Sequence, residues 1–261
     1  MDKNFKKHLN WEEKAKINPL YAIMASNEFE AENTELSSEN LEIFFSKGER
    51  IWNNFFNGEL TLFKEPGNTR ILEFGCGMGR LIQMPARKGY RCYGVDISET
   101  QLALAKTHLN DDKIELLSLP NGVIPYDNGY FDYVFSFAVF QHINKLSDFI
   151  ISLEQVCRVV KPGGILKIQL PTIEGNKYAK GRRRFLYSIP FESKALVFYW
   201  AKRLKVVPMI RIVKYDHWGG AAYYYRLNQL LKLLKCNKIE VTLISYSPSG
   251  FVLITGAKEL S

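Results

Sequence analysis

"ILEFGCGMGR", residues 71–80, decides how the rest of the chain is read. An apolar run ends in three glycines at alternate positions, Gly75, Gly77 and Gly79. Glycine there removes side chains where backbone must turn sharply or meet a ligand closely. The spacing is G-x-G-x-G. A dinucleotide fingerprint needs G-x-G-x-x-G, and the position of its third glycine holds Arg80.

Outward from this turn, strand and helix patterns alternate. "RILEFG" (70–75) predicts a strand and 79–88 a helix. "RCYGVDIS" (91–98) predicts a second strand, followed by a helix capped by Ser98. "KIELLSL" (113–119) and "FDYVFSFA" (131–138) predict the third and fourth strands. A helix over 146–160 is stopped by "KPGG", and "ILKIQLP" (165–171) is a fifth strand. Such alternation implies βαβ units and a parallel sheet covered on both faces. After a break at 172–222, a helix is expected over 223–236, then strands "KIEVTLISY" (238–246) and "FVLITGAK" (251–258). The turn "SPSG" between them is too short for a parallel crossover, which takes about a dozen residues. The fold class is therefore α/β: a seven-stranded, mostly parallel, doubly wound sheet with one antiparallel strand at the C-terminal end and helices on both faces. Before the core, "WEEKAKINPLYAIMAS" and "SSENLEIFFSKGERIWNNFFNG" read as helices, the second with Ser38 as N-cap.

Composition bounds the class. The 261 residues are 46% hydrophobic and 13% aromatic, enough for a sizeable core. The N-terminus has no apolar region of the kind a secretory signal carries, and no run approaches the roughly 20 residues of a membrane span. Cys76, Cys92, Cys157 and Cys236 show neither C-x-x-C nor metal-ligand spacing, so reduced thiols, no metal and a cytoplasmic location are expected. The net charge of +8 is concentrated. Residues 176–214 hold eleven Lys or Arg against one acid, Glu192, a local +10. That asymmetry points to an anionic partner meeting one face.

The residues around the glycine turn define a ligand. Glu73 ends the first strand, and Asp96 ends the second, 23 residues later. A carboxylate in the second position can take both hydroxyls of a ribose. Two acids and no lysine face the turn, which suits a ribose carrying a cationic part rather than a pyrophosphate.

"LEFGCGMGR" with "YGVDIS", then "IPYDNGYFDYVFSFAVFQHI", then "RVVKPGGILKI" resembles the class I S-adenosylmethionine-dependent methyltransferases. The resemblance covers 65–171 strongly and 223–258 by topology, and it implies S-adenosylmethionine as cofactor. Glu73 would hold the methionine ammonium. The turn Gly75, Cys76, Gly77 and Gly79, with Arg80, would run under the methionine and ribose. Asp96 would bind the ribose hydroxyls, and Ile97 would pack on the adenine. Phe137 would begin the wall beside the transferred methyl. Where the family often has an acid for the adenine amino group, this chain has Leu119, Pro120 and Asn121; the Asn121 side chain or the backbone would accept that hydrogen bond. Similar enzymes cover the cofactor with the N-terminal segment, which makes Trp11 and Tyr21 candidate contacts. His142 and His217 are candidate general bases, each with the alternative of a histidine bonding within its own loop.

The expected organisation is an N-terminal helical cap (1–64), the cofactor-binding core (65–171), a basic aromatic insertion (172–222) acting as acceptor lid or docking surface, and a closing helix with the antiparallel strand pair (223–261). The expected function is methyl transfer to a small or lipid-linked acceptor, an anionic saccharide or metabolite, at oxygen. The alternatives are an RNA or protein methyltransferase docking through 176–214, and a non-catalytic cofactor-binding subunit. Aromatics interleaved with basic residues over 182–205 would also suit a membrane surface or stacked bases.

Overall fold

The computed structural model describes residues 10–24, 29, 36–119, 122–143, 145–173, 187–188, 211–215, 221–246 and 251–260. Most of the basic stretch lies outside them, as do Pro120, Asn121 and His217.

The first described residues form a helix pair. In α1 (Trp11–Ile17), the Asn10 side chain accepts from the Glu13 N–H at 2.9 Å while Glu13 accepts from the Asn10 N–H at 2.7 Å, a capping box. A single helix over "WEEKAKINPLYAIMAS" is not formed. Pro19 disfavours helical backbone at the residue before it, and Asn18 is extended (φ −154°, ψ 91°). Asn18 then caps α2 (Pro19–Ile23), accepting from the Tyr21 N–H. In α3 (Ser38–Phe55), the cap is Ser37, whose hydroxyl accepts from the Asn40 N–H. Ser38, predicted as the cap, is instead the first helical residue. Phe44, Gly48 and Trp52, four residues apart, form its buried stripe.

Seven strands form one sheet: β1 (Arg70–Phe74), β2 (Arg91–Asp96), β3 (Ile114–Ser118), β4 (Phe131–Ser136), β5 (Val160–Pro171), and the last two of the chain, β9 (Ile239–Tyr246) and β10 (Phe251–Lys258). Their order is β3-β2-β1-β4-β5-β10-β9. β1 pairs parallel with β2 and with β4, and β2 pairs parallel with β3. β10 is antiparallel to both β5 and β9. The reversed strand is thus the last in sequence but sits one place in from the sheet edge. Ile71 through Phe74 are consecutively buried, as a strand covered on both faces requires.

The chain divides into two compact units, residues 1–125 with 131–135, and 126–130 with 136–261. In the first, Trp52 stacks on Phe56 at 5.9 Å and meets the edge of Phe135 at 5.3 Å, so α3 seals one face of β4. α5 (Glu99–Leu109) follows β2, capped by Ser98 as predicted. The helix expected over 79–88 reduces to α4 (Gln83–Ala86). Gly77 and Gly79 take φ of +52° and +77°, outside right-handed helix, and Pro85 withholds a donor.

In the second unit, α6 (Leu146–Val159) buries Phe149, Leu153, Val156 and Cys157. β5 already begins at Val160 and includes "KPGG", because Pro162 holds the preceding Lys161 extended. The helix expected from 223 starts later, as α7 (Leu227–Cys236). Tyr223 to Tyr225 instead end β8 (Ala221–Tyr225), in keeping with the β preference of aromatics. β8 pairs antiparallel with β7 (Arg211–Tyr215), which pairs with β6 (Tyr187–Ser188), a small second sheet.

Candidate cofactor-binding site

The site grows from the join of β1 to the glycine turn. The N–H groups of Gly75 and Cys76 both donate to the Val95 carbonyl, at 2.7 and 3.1 Å, and the Gly79 N–H donates to the Cys76 carbonyl at 2.8 Å. All three glycines have positive φ, conformations that a side chain would strain. The turn is therefore joined to the end of β2 through backbone hydrogen bonds, with glycine at alternate positions.

Asp96 completes that fastening. One carboxylate oxygen accepts from the Gly77 N–H at 2.8 Å and the other from the Ser98 N–H at 2.9 Å. Burial pushes its pKa up, opposed by these N–H groups. The Ile97 N–H also approaches this carboxylate, and a carboxylate has about four lone-pair sites. Ile97 beside it is 54% exposed, an apolar surface suited to the face of a base.

Glu73 is only 3% exposed, and its Oε2 has no hydrogen-bond partner. Burial raises its pKa well above the carboxylate range; the positive charge of Arg80 and the N–H of Ile82 oppose this without overcoming it. Arg80 is itself buried, its guanidinium 5.9 Å from the Phe44 ring centre and its Nη1 without a partner. Burial brings its pKa down to about 10, so it remains a cation near neutrality. Gly48 makes this arrangement possible. A Cβ there would stand 2.5 Å from the Arg80 carbonyl oxygen, so only glycine lets α3 approach the turn.

Cys76 turns its side chain away from the turn, into a cluster with Leu102, Ala105 and Leu116. Burial pushes its thiol pKa well up, which leaves it inert and offers a ligand only its backbone.

The N-terminal pair is tied to this region by a residue that sequence reasoning missed. Glu12 accepts from the Ser98 hydroxyl at 2.7 Å, the Thr100 hydroxyl at 2.6 Å and the Thr100 N–H at 3.2 Å. The hydroxyls of Thr100 and Ser98 hold its pKa down to about 2. Gln101 donates to the Pro19 carbonyl at 2.9 Å. Ile23, also missed, lies against the turn: a Cβ on Gly77 would be 2.7 Å from its Cδ1. Tyr21 is buried, while Trp11 is half-buried with the Lys14 ammonium 4.4 Å from its ring centre.

Phe137 and His142 belong to the second unit. Phe137 follows β4 and is half-buried. Ala138 takes φ +61°, rare for a residue with a Cβ, and its N–H donates to Gln169 Oε1 at 2.9 Å. His142 ends a 3-10 turn, Phe140–His142, with its Nε2 3.0 Å from Gln141 Nε2.

A buried carboxylate with one oxygen unpartnered, a carboxylate anchored at the second strand's end and a glycine-rich turn fit the ammonium, the ribose diol and the chain between them in S-adenosylmethionine. A model of the methyltransferase domain family matches residues 72–168. The ubiquinone biosynthesis O-methyltransferase of Maricaulis maris is 31% identical over 100 residues, 37% of this chain and 38% of that protein. The demethylmenaquinone methyltransferase of Shouchella clausii is 32% identical over 115 residues, 40% of this chain and 47% of that protein. The matched stretches thus span less than half the length of these relatives. Among solved structures, an S-adenosylmethionine-dependent methyltransferase of Methanosarcina mazei has a TM-score of 0.54 at 18% identity, over 77% of this chain and 98% of that one. The magnesium protoporphyrin IX methyltransferase of Synechocystis, with bound S-adenosylhomocysteine, also has a TM-score of 0.54, at 13% identity over 86% and 89% of the two chains. Residues 72–168 are thus similar to the methyltransferase domain, and the sheet shares the fold of the solved S-adenosylmethionine-dependent methyltransferases.

Proposed function

We propose that the protein transfers a methyl group from S-adenosylmethionine to a small-molecule acceptor, at oxygen. The observation that carries this reading is Glu73: a carboxylate buried at the end of β1, one oxygen unpartnered, suited to a cationic ligand group. When bound, the cofactor supplies an electrophilic methyl on a sulfonium centre. The chain's residues then hold the cofactor and align the acceptor with that methyl, and alignment alone can contribute about 7 to 11 kcal/mol in good cases. Glu73 holds the ammonium, Asp96 the ribose hydroxyls, and Ile97 the face of the adenine. Phe137 walls the acceptor side, and Asn121 serves the adenine amino group. His142 and His217 are the candidate bases for a hydroxyl acceptor, which needs one within roughly 2.6 to 3.2 Å; a carboxylate acceptor needs none.

The similarity to a ubiquinone biosynthesis O-methyltransferase supports a small-molecule acceptor methylated at oxygen. The family match ends at residue 168, before the basic stretch, so the acceptor is argued from that stretch itself. Its local +10 over 176–214 favours an anionic acceptor, a phosphorylated or carboxylated saccharide or metabolite. No described helix is long and apolar enough to cross a membrane, and a peripheral contact through 182–205 fits a lipid-linked acceptor.

Calorimetric titration with S-adenosylmethionine and with NAD tests the cofactor reading: micromolar binding of the first and none of the second is expected. Transfer of labelled methyl to a panel of anionic saccharides and phenolic quinone precursors tests the acceptor. Label appearing only on RNA or protein would overturn the small-molecule reading.

A further inference from the structure

We propose that Glu12 is a positioning residue: it is the catch that holds the N-terminal helix pair closed beside the glycine turn, and so sets how long the cofactor stays bound. The inference rests on the cofactor reading above.

Three observations carry it. Glu12 reaches across 86 residues of sequence to accept from Ser98 Oγ and across 88 to accept from Thr100 Oγ1 and N. These donors stand at the start of α5, where the helix dipole also favours a carboxylate. Second, the catch shares a residue with the ribose site, because the Ser98 N–H is one of those that hold Asp96. Third, closing the pair lays Ile23 over Gly77, the bare backbone the cofactor has to meet.

The attachment of α1 is built to release. The helix has seven residues and buries only Ala15, so the apolar hold of the pair rests on Leu20 and Tyr21 of α2. Glu12 itself is 30% exposed. An element such as α1, held by a few polar contacts and little apolar burial of its own, opens locally at less cost than the core. Opening gives the cofactor a way in past Ile23, and the three hydrogen bonds of Glu12 oppose its escape once the pair is closed.

The test uses the full chain and stopped-flow dissociation of S-adenosylhomocysteine from wild type, Glu12→Gln, Glu12→Ala and Thr100→Val. Loss of hydrogen bonds to a charged group is expected to raise the dissociation rate of Glu12→Ala about tenfold, with association no slower. Thr100→Val should give a smaller rise, and the Glu12→Ala/Thr100→Val double variant no more than Glu12→Ala alone. A residue that merely supports the fold would slow association and lower the melting temperature instead. Trypsin cleavage after Lys14 and Lys16 in the cofactor-free protein gives an independent readout, faster in Glu12→Ala than in wild type. Dissociation rates within twofold of wild type in both Glu12 variants would overturn the proposal while leaving the cofactor reading intact. Wild type that binds neither S-adenosylmethionine nor S-adenosylhomocysteine would overturn the cofactor reading, and the latch's role with it.

Discussion

Replacing Glu73 by glutamine probes the cofactor reading most directly. The carboxylate is 3% exposed, with Oε2 unpartnered, and burial outweighs Arg80 and the Ile82 N–H in raising its pKa. In the cofactor-free protein burial thus favours the uncharged acid, and the amide replaces it at little cost in stability. An ammonium arriving at Oε2 reverses the balance, because an opposite charge close by favours the ionised form. A hydrogen bond to a charged group is worth about 1.5–3 kcal/mol, so Glu73→Gln should weaken S-adenosylmethionine binding roughly 10- to 150-fold. The sign of the pH dependence follows. The pKa of Glu73 is high in the free protein and lower in the complex, so binding expels a proton below the free pKa. Affinity therefore rises with pH up to that pKa and is flat above it. Titrations in buffers of different ionisation enthalpy should report proton release for wild type and none for Glu73→Gln. Methylthioadenosine, which lacks the ammonium, should bind the two proteins alike. Equal affinity of wild type and Glu73→Gln for S-adenosylmethionine, or a pH-independent wild-type affinity, would refute the assignment.

Asp96→Ala removes the diol acceptor together with the anchor of the Gly77 and Ser98 N–H groups. It should weaken S-adenosylmethionine and methylthioadenosine alike, by about tenfold or more, and an unchanged affinity for methylthioadenosine would place the ribose elsewhere. Gly48→Ala puts a Cβ 2.5 Å from the Arg80 carbonyl oxygen. Overpacking against backbone should cost about 1–3 kcal/mol, read in urea denaturation, and a loss of under about 0.5 kcal/mol would show that α3 does not press on the turn. Glu12, with its pKa held down to about 2 from 4.5, contributes fully above 4.5 and progressively less as pH falls through about 2. Amide-exchange protection of α1, corrected for intrinsic rates, should be level from neutral pH to about 5 and fall only in stronger acid; a fall at neutral pH would contradict it.

What the sequence made legible was local. The apolar run before Gly75, the Ser98 cap and the four-residue "SPSG" turn each carry their meaning within a few residues, and each is found in the structure or its consequence is. Two serines in a row leave a cap ambiguous by one position, and Ser37 takes it rather than Ser38. Turn length required β9 and β10 to be antiparallel, but could not say that β10 enters between β5 and β9. That choice is made by pairing across the sheet, between residues far apart in the chain. Glu12 is the clearest case of this limit. "WEEK" reads as an ordinary polar helix start, and its partners lie 86 and 88 residues away, where no periodicity reaches.

The misread elements also have a common cause. Residues 79–88 have a helical pattern, yet Gly77 and Gly79 hold φ values that helix forbids. Glu73 interrupts an apolar strand with a carboxylate that burial penalises. Local sequence and tertiary fold disagree at both places, and a sequence selected for folding alone would carry neither conflict. The glycines meet the turn's positive φ values, while Glu73 is the residue that burial penalises and that a cationic ligand group would reward.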